Sequence, residues 1–437
     1  MQDFVGCQDR NKALKDAASR NQIPIQCADS ITKYIKNLAD TNGSSVALTH
    51  LEASTFPPEI LPVWICRLAT LKSLQLQDGS ILDVEIGNAI AESCPKFAEL
   101  ICLHCSSDTA AEDMAAFFRA LRPATLQRFE VFSRNSLSAV TLASLINHST
   151  SLRVLNLRSL QRSAVRSLGL LSRCTGLEKL LIERDATDRG GPDIFNEAEL
   201  DQVATWISNC KRLRELNIAH VPEALTILKE VLCQPEIKLE QLAIHDFRSA
   251  SKEVTKATWS ALTRQDELVS LTIAAQDGLL DGLVLDSHPE LVDAICQLTN
   301  LDVLNLMQVK ASSHAILLFA MRLPRLKVLS FGGDLFYDDI LGPLSRLHSL
   351  VSLSINALTF FSYEAFMRFA QSLDPLGNSG IRVDVLNQSY TDPLVPPKGS
   401  QGTQLEEYFV ERLNGQLIVT YSADPNELAE SDFTDSD

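Results

Sequence analysis

Aromatic residues are scarce in this sequence. Phe, Trp and Tyr make up 6% of its 437 residues. Aliphatic side chains must therefore fill any core, which suits thin layers. Long apolar runs are missing too. The longest clear one, Ala315 to Met321, is far too short to span a bilayer. Basic residues are in deficit, with Lys and Arg numbering 39 against 55 Asp and Glu, a net charge of −16. Phosphate binding needs clustered bases that displace counterions, so neither nucleic acid nor an anionic membrane is expected as a primary ligand. A basic partner fits this balance better. The first residues, MQDFVGCQDRNKALKDAASRNQ, contain no apolar stretch, so no secretory leader is expected. The ten cysteines then read as reduced thiols of a cytoplasmic or nuclear protein.

Catalytic signatures are also missing. The sequence has no G-x-x-x-x-G-K-[ST], no G-x-S-x-G and no H-E-x-x-H, the motifs that carry phosphate loops, nucleophile elbows and zinc sites. No enzymatic activity and no cofactor are expected. Cys102-Leu103-His104-Cys105 is a lone pair of cysteines, whereas structural zinc takes four ligands. Asp277, Asp281, Asp286 and His288 do not match calcium-loop spacing.

A repeat is what the sequence does contain. The pattern L-x-x-L-x-L, with aliphatic or aromatic substitutes, starts at Leu71, Leu126, Leu152, Leu177, Leu213, Leu239, Leu268, Leu301, Leu326 and Leu350. Weaker copies start at Leu48 and Phe97. The twelve starts are spaced by 23, 26, 29, 26, 25, 36, 26, 29, 33, 25 and 24 residues. Most of these fall in the range of leucine-rich repeats. The last two leucines of the pattern lie two apart, which places them on one face of a short strand. Between the starts, stretches such as Val203-Ala204-Trp206-Ile207 and Ile316-Leu317-Phe319-Ala320 recur near the helical period. No unit can bury its apolar face alone, but stacked units can. The expected fold is an α/β leucine-rich-repeat solenoid (horseshoe), with a parallel sheet on the concave face and helices on the convex face.

Cys94, Cys174 and Cys210 each stand three residues before a repeat start, in CPKFAEL, CTGLEKL and CKRLREL. At the turn from helix to strand, cysteine is expected as a small buried hydrophobe. The pattern Cys-x-x-Leu-x-x-Leu-x-Leu resembles the cysteine-containing, ribonuclease-inhibitor-like repeats of F-box-associated proteins. SCPKFAELICLHC and LRPATLQRFEVFSRN are similar to leucine-rich-repeat proteins of filamentous fungi related to F-box proteins. The resemblance covers about residues 46 to 390. It implies that the repeats hold a substrate protein, with Skp1 as a partner if an F-box lies upstream. Residues 1–45 are polar and lack a Leu-Pro-x-Glu start. The only similar stretch, Phe56-Pro57-Pro58-Glu59-Ile60, is claimed by the repeat period. Two other readings stay open: a stand-alone regulator or inhibitor of the cytosolic ribonuclease-inhibitor class, and an activator of small GTPases.

The expected organisation is a polar N-terminal segment at 1–27, a solenoid at 28–390, a C-terminal cap at 391–423 and a disordered acidic tail at 424–437. Residues 28–39 read as an amphipathic helix carrying Ile31, Tyr34, Ile35 and Leu38 on one face. Two repeats carry insertions, 184–199 and 275–290, expected as surface loops. Side chains alternate on a strand, so the residues between the core positions line the floor of the sheet. From Leu239 onward the corresponding positions of the twelve repeats carry no charge, so a neutral C-terminal half of the floor is expected. The earlier repeats carry charges of both signs. A protein partner is therefore expected on Arg128, Glu130, Phe132, Asn156, Arg158, Lys179, Glu183 and Glu215, because Arg and aromatic residues anchor interfaces.

Overall fold

The structure is a computed structural model that describes residues 22–25, 50–53, 61, 65–66, 68–105, 107, 109–132, 137–188, 194–248, 251–274, 283–387 and 402–421. The expected helix at 28–39, the Phe56–Ile60 stretch and the tail from 424 lie outside these residues. The chain divides into two compact units, Met1–Ile237 and Lys238–Asp437.

In the first unit β1 (Gln22–Ile25), β2 (His50–Ala53), β3 (Ser73–Leu76), β4 (Glu99–Cys102), β5 (Arg128–Phe132), β6 (Val154–Leu160), β7 (Lys179–Arg184) and β8 (Glu215–Ala219) pair in chain order. Every pair is parallel. Leu51, Leu74, Leu100, Phe129, Leu155, Leu180 and Leu216 form one rung. Leu76, Cys102, Val131, Leu157, Ile182 and Ile218 form the rung two residues on. All thirteen are at most 2% exposed. The sequence repeat is thus the register of the sheet: each anchor buries its side chain against the same position of its neighbours. A one-residue slip would turn every anchor to solvent, which fixes the pairing. β1 lies within the stretch read as a polar start, and it pairs Ile23 with Leu51.

In the second unit the strands are β9 (Gln241–His245), β10 (Ser270–Ala274), β11 (Leu283–Val284), β12 (Val303–Lys310), β13 (Val328–Tyr337), β14 (Ser352–Phe360), β15 (Arg382–Asn387) and β16 (Gln416–Tyr421). Their order is β9-β10-β12-β13-β14-β15-β16, with β11 paired to the end of β12. Leu242, Leu271, Leu304, Leu329, Leu353, Val383 and Leu417 share the anchor rung. Helix Gly402–Leu413 and β16 fall in the segment read as a cap, and β16 pairs with β15 in the same parallel register. The chain is an α/β leucine-rich-repeat solenoid in both units.

The helices follow from local sequence. Helix Glu197–Ser208 starts at Asn196, which forms a capping box with Glu199, and it buries Val203, Ala204, Trp206 and Ile207. Reciprocal satisfaction of two end N–H groups fixes that start. Helix Ser313–Arg322 is capped by Ser312 and buries Ala315, Ile316, Phe319 and Ala320. The first insertion is anchored rather than free along its described part. Ile194 and Phe195 are buried, and their N–H groups donate to Glu223 at 2.7 and 3.4 Å. The second insertion ends in β11 and buried Leu285.

The position three residues before each repeat start links neighbouring repeats. The Cys94 thiol donates to the Leu68 carbonyl at 3.3 Å, and the Cys210 thiol to the Cys174 carbonyl at 3.5 Å. Burial pushes the thiols of Cys94, Cys174 and Cys210 up to about 12. They are core residues, as expected, but two also act as weak donors. In the second unit polar residues take the same place. Gln265 Oε1 accepts from the Leu239 N–H at 2.8 Å. Asn378 Nδ2 donates to the Leu347 and Leu350 carbonyls at 2.9 Å each. Turns between helix and strand leave carbonyls without helical partners, and a buried carbonyl needs one. The preceding repeat offers such carbonyls, and the side chains of Cys94, Cys210 and Asn378 supply the donor, whereas Gln265 accepts from a backbone N–H.

Strands in the second unit run longer. β12, β13 and β14 contain 8, 10 and 9 residues. Register shifts interrupt them after Leu306, Gly332 and Ile355. Beyond these irregularities the strands pair again, Leu335 with Leu358 and Tyr337 with Phe360. Bulges of this kind re-aim side chains.

Candidate functional site on the open face of the sheet

Burial alternates over the repeat positions of β4 to β7, so the face opposite the anchors is open to solvent. In β5 the pattern runs half-buried, buried, half-buried, buried, exposed from Arg128 to Phe132. On this face of the first unit, Arg128, Val154, Lys179 and Glu215 form one rung. Glu130, Asn156, Leu181 and Asn217 form the next. Phe132 registers with Arg158, and Glu183 with Ala219. Strand register therefore arrays all eight residues singled out from the sequence on one side of four consecutive strands.

Their contacts sort them into pairs. The Arg128 guanidinium grips Glu130 at 2.5 Å through one terminal nitrogen and 2.6 Å through Nε. Lys179 meets Glu215 of the next strand at 2.5 Å. The Arg158 guanidinium lies 4.8 Å from the centre of the Phe132 ring. The structure does not join these three pairs into one network. Among the described residues Glu183 makes no ion pair. Each exposed ion pair contributes roughly 0.2–1 kcal/mol, and an exposed cation–ring contact about 0.5–1 kcal/mol. The pairs therefore fix side-chain geometry more than they stabilise the fold. Phe132 remains 43% exposed, a large apolar ring held in place by its cation yet open to solvent.

Alternation along the strand also places Leu181 on this face. It stands among the polar residues at the centre of the array, half-buried. Other features of the face were not read from the sequence. In the second unit the floor positions of the repeat pattern are uncharged from β9 to β14, and the stretch ends at β15, where Arg382 and Asp384 pair at 2.9 Å. The expectation of a neutral floor from Leu239 onward fails at this strand, because Ile381–Leu386 continues the same register with Val383 on the anchor rung. Tyr337 and Phe360 were missed as well, because the repeat template ends each strand after five residues. The signal was present in Leu335-Phe336-Tyr337 and Leu358-Thr359-Phe360, but their offsets from the anchors Leu329 and Leu353 differ by one residue. The register shifts absorb that difference.

The chemistry of the described residues is that of a surface. Cys102 is on the core rung between Leu76 and Val131, and burial pushes its thiol well above the ordinary range. Cys105 is also buried, whereas His104 between them is exposed. Among the described residues no group of three or more His, Cys, Asp or Glu is placed to hold a metal ion. No described helix is long and apolar enough to cross a membrane.

No family model and no curated protein matches the sequence. Solved structures similar to it include the Rad7–Elc1 complex of yeast, at 13% identity over 90% of this chain and 93% of that one, with a TM-score of 0.44. An internalin of Listeria monocytogenes is similar at 14% identity over 80% and 82%, with a TM-score of 0.37. A chain of the mouse RP105/MD-1 complex is similar at 14% identity over 89% of this chain and 58% of its own length, with a TM-score of 0.44.

Proposed function

We propose that this chain is a non-enzymatic protein-interaction scaffold that engages a polar protein partner through the open face of β5 to β8. The observation that carries this reading is the half-exposed Phe132 ring under the Arg158 guanidinium, set beside charges of both signs on rigid strands. Exposed aromatic and arginine side chains are the residue types that anchor interfaces. Mixed charges select a partner by complementarity more than by raw affinity. Rigid strands also reduce the entropy lost on binding. The test is capture of protein from the native cell, identified by mass spectrometry, with the wild-type chain and with Arg128→Glu/Arg158→Glu. Loss of specific captured species in the variant is expected, and an unchanged profile would sink the idea.

A finer proposal is that the partner is a substrate of an F-box-type ubiquitin ligase. It rests on the resemblance of the cysteine-marked repeats alone. Co-purification of Skp1 with the chain, extended upstream in the genome, supports it; absence of Skp1 removes it and leaves a stand-alone regulator.

A further inference from the structure

The open face of the second unit has a different chemistry. Tyr337 and Phe360 close β13 and β14, register with each other, and stack with ring centroids 5.9 Å apart and planes 20° from parallel. They are 55% and 40% exposed. Two residues back, Leu335, Leu358 and Leu386 pair across three strands, all half-buried. On β12, Met307 is 42% exposed. Along β14 the outward residues are Ser352, Ser354, Asn356, Leu358 and Phe360, so this face changes from polar to apolar along the strand. Among the described residues, the segments next to the patch carry Asp286, Asp338, Asp339 and Glu364, and β12 ends in Lys310. Asp339 and Glu364 are exposed.

We infer that this patch docks a segment of a protein partner that presents apolar residues flanked by lysine or arginine. Tyr, Phe and Met are enriched in interface cores, where an apolar centre sits inside a polar rim. Here the centre is the Tyr337–Phe360 stack with its leucine row, and the rim is acidic. A basic flank gains from that rim, whereas a phosphate-bearing surface is repelled by it. The stack is fixed by strand pairing, so a docked side chain meets a flat, preorganised surface. This site is separate from the charged array on β5 to β8 and does not depend on it.

The test is a library of random 16-residue peptides displayed on phage, panned on the full chain and counter-selected on Tyr337→Ser/Phe360→Ser. The expected enrichment is for peptides with apolar residues and an excess of Lys and Arg. Their affinity should fall tenfold or more in that double variant. It should fall severalfold in Asp339→Lys/Glu364→Lys, which leaves the apolar centre intact and decides the matter if the double variant does not fold. No enrichment, enrichment of neutral or acidic peptides, or affinities unchanged in both variants would overturn the inference. Self-association abolished by Tyr337→Ser/Phe360→Ser would also overturn it, by assigning the face to a second copy of the chain.

Discussion

Replacing Asn378 by leucine tests what the residue three before a repeat start contributes. Asn378 is fully buried. Its amide donates to the Leu347 and Leu350 carbonyls at 2.9 Å each, and its side-chain oxygen accepts from the Asp374 N–H at 2.9 Å. Leucine has the same branching and number of side-chain heavy atoms but none of these groups. The Leu347 carbonyl keeps the Leu350 N–H as a donor at 3.0 Å, so losing the side chain costs it about 1 kcal/mol. The Leu350 carbonyl and the Asp374 N–H lose the partners that Asn378 gave them, at roughly 1–3 kcal/mol each. The gain from burying a more apolar side chain offsets part of this. A loss of about 3–5 kcal/mol follows. With a urea slope of about 2–3 kcal/mol/M, the midpoint for the second unit should drop by roughly 1–2.5 M. Fluorescence of Trp259, which is buried in that unit, reads the transition. Hydrogen exchange along Arg382–Asn387 localises it. Leu298, Leu323 and Leu347 occupy the equivalent place before Leu301, Leu326 and Leu350. If Asn378→Leu costs less than about 1 kcal/mol, filling the space is all this position does, and the hydrogen-bond account is wrong.

Other perturbations follow from the same geometry. His148 is fully buried, accepts from the Leu126 N–H and shares a hydrogen bond with the Phe118 carbonyl; burial holds its pKa below the ordinary value of 6.5. As pH falls the unfolded chain takes up that proton first, so the contribution is full above about pH 6.5 and fades as pH drops through the folded value. The stability gap between wild type and His148→Gln should be constant near pH 8 and narrow progressively below about 6.5 in urea titrations. Gly79→Ala would place a methyl carbon 2.8 Å from the Cys102 sulfur and 3.1 Å from that of Cys105, costing roughly 1–3 kcal/mol. Adding Cys102→Ala should recover part of that loss, and strict additivity in thermal melts would refute the contact. Thiol labelling at about pH 8 should modify exposed Cys66 and Cys233 quickly. Cys94, Cys174 and Cys210, with thiols pushed up to about 12, should react only on unfolding. Peptide mapping that found fast labelling at Cys174 would contradict its burial.

The sequence by itself determined the repeat, the rungs of the sheet and the side of each strand that faces the core. Periodicity is local, and once Leu74, Leu100, Phe129 and their equivalents must all be buried, only one parallel register satisfies them. The same alternation is enough to mark the residues from Arg128 to Glu215 as outward-facing. Tertiary structure decided what those residues meet: that Arg158 caps the Phe132 ring while Arg128 and Lys179 are taken up by Glu130 and Glu215. Side-chain partners across strands depend on rotamers and on neighbours some 25 residues or more away in sequence, which no spacing encodes. It also decided that Asn378 takes over the donor role of the cysteine position while Gln265 accepts there, because which backbone group lacks a partner is a property of the folded turn. The aromatic stack of Tyr337 and Phe360 belongs with these. Their offsets from Leu329 and Leu353 disagree by one residue, and only the irregular pairing of β13 with β14 brings them face to face.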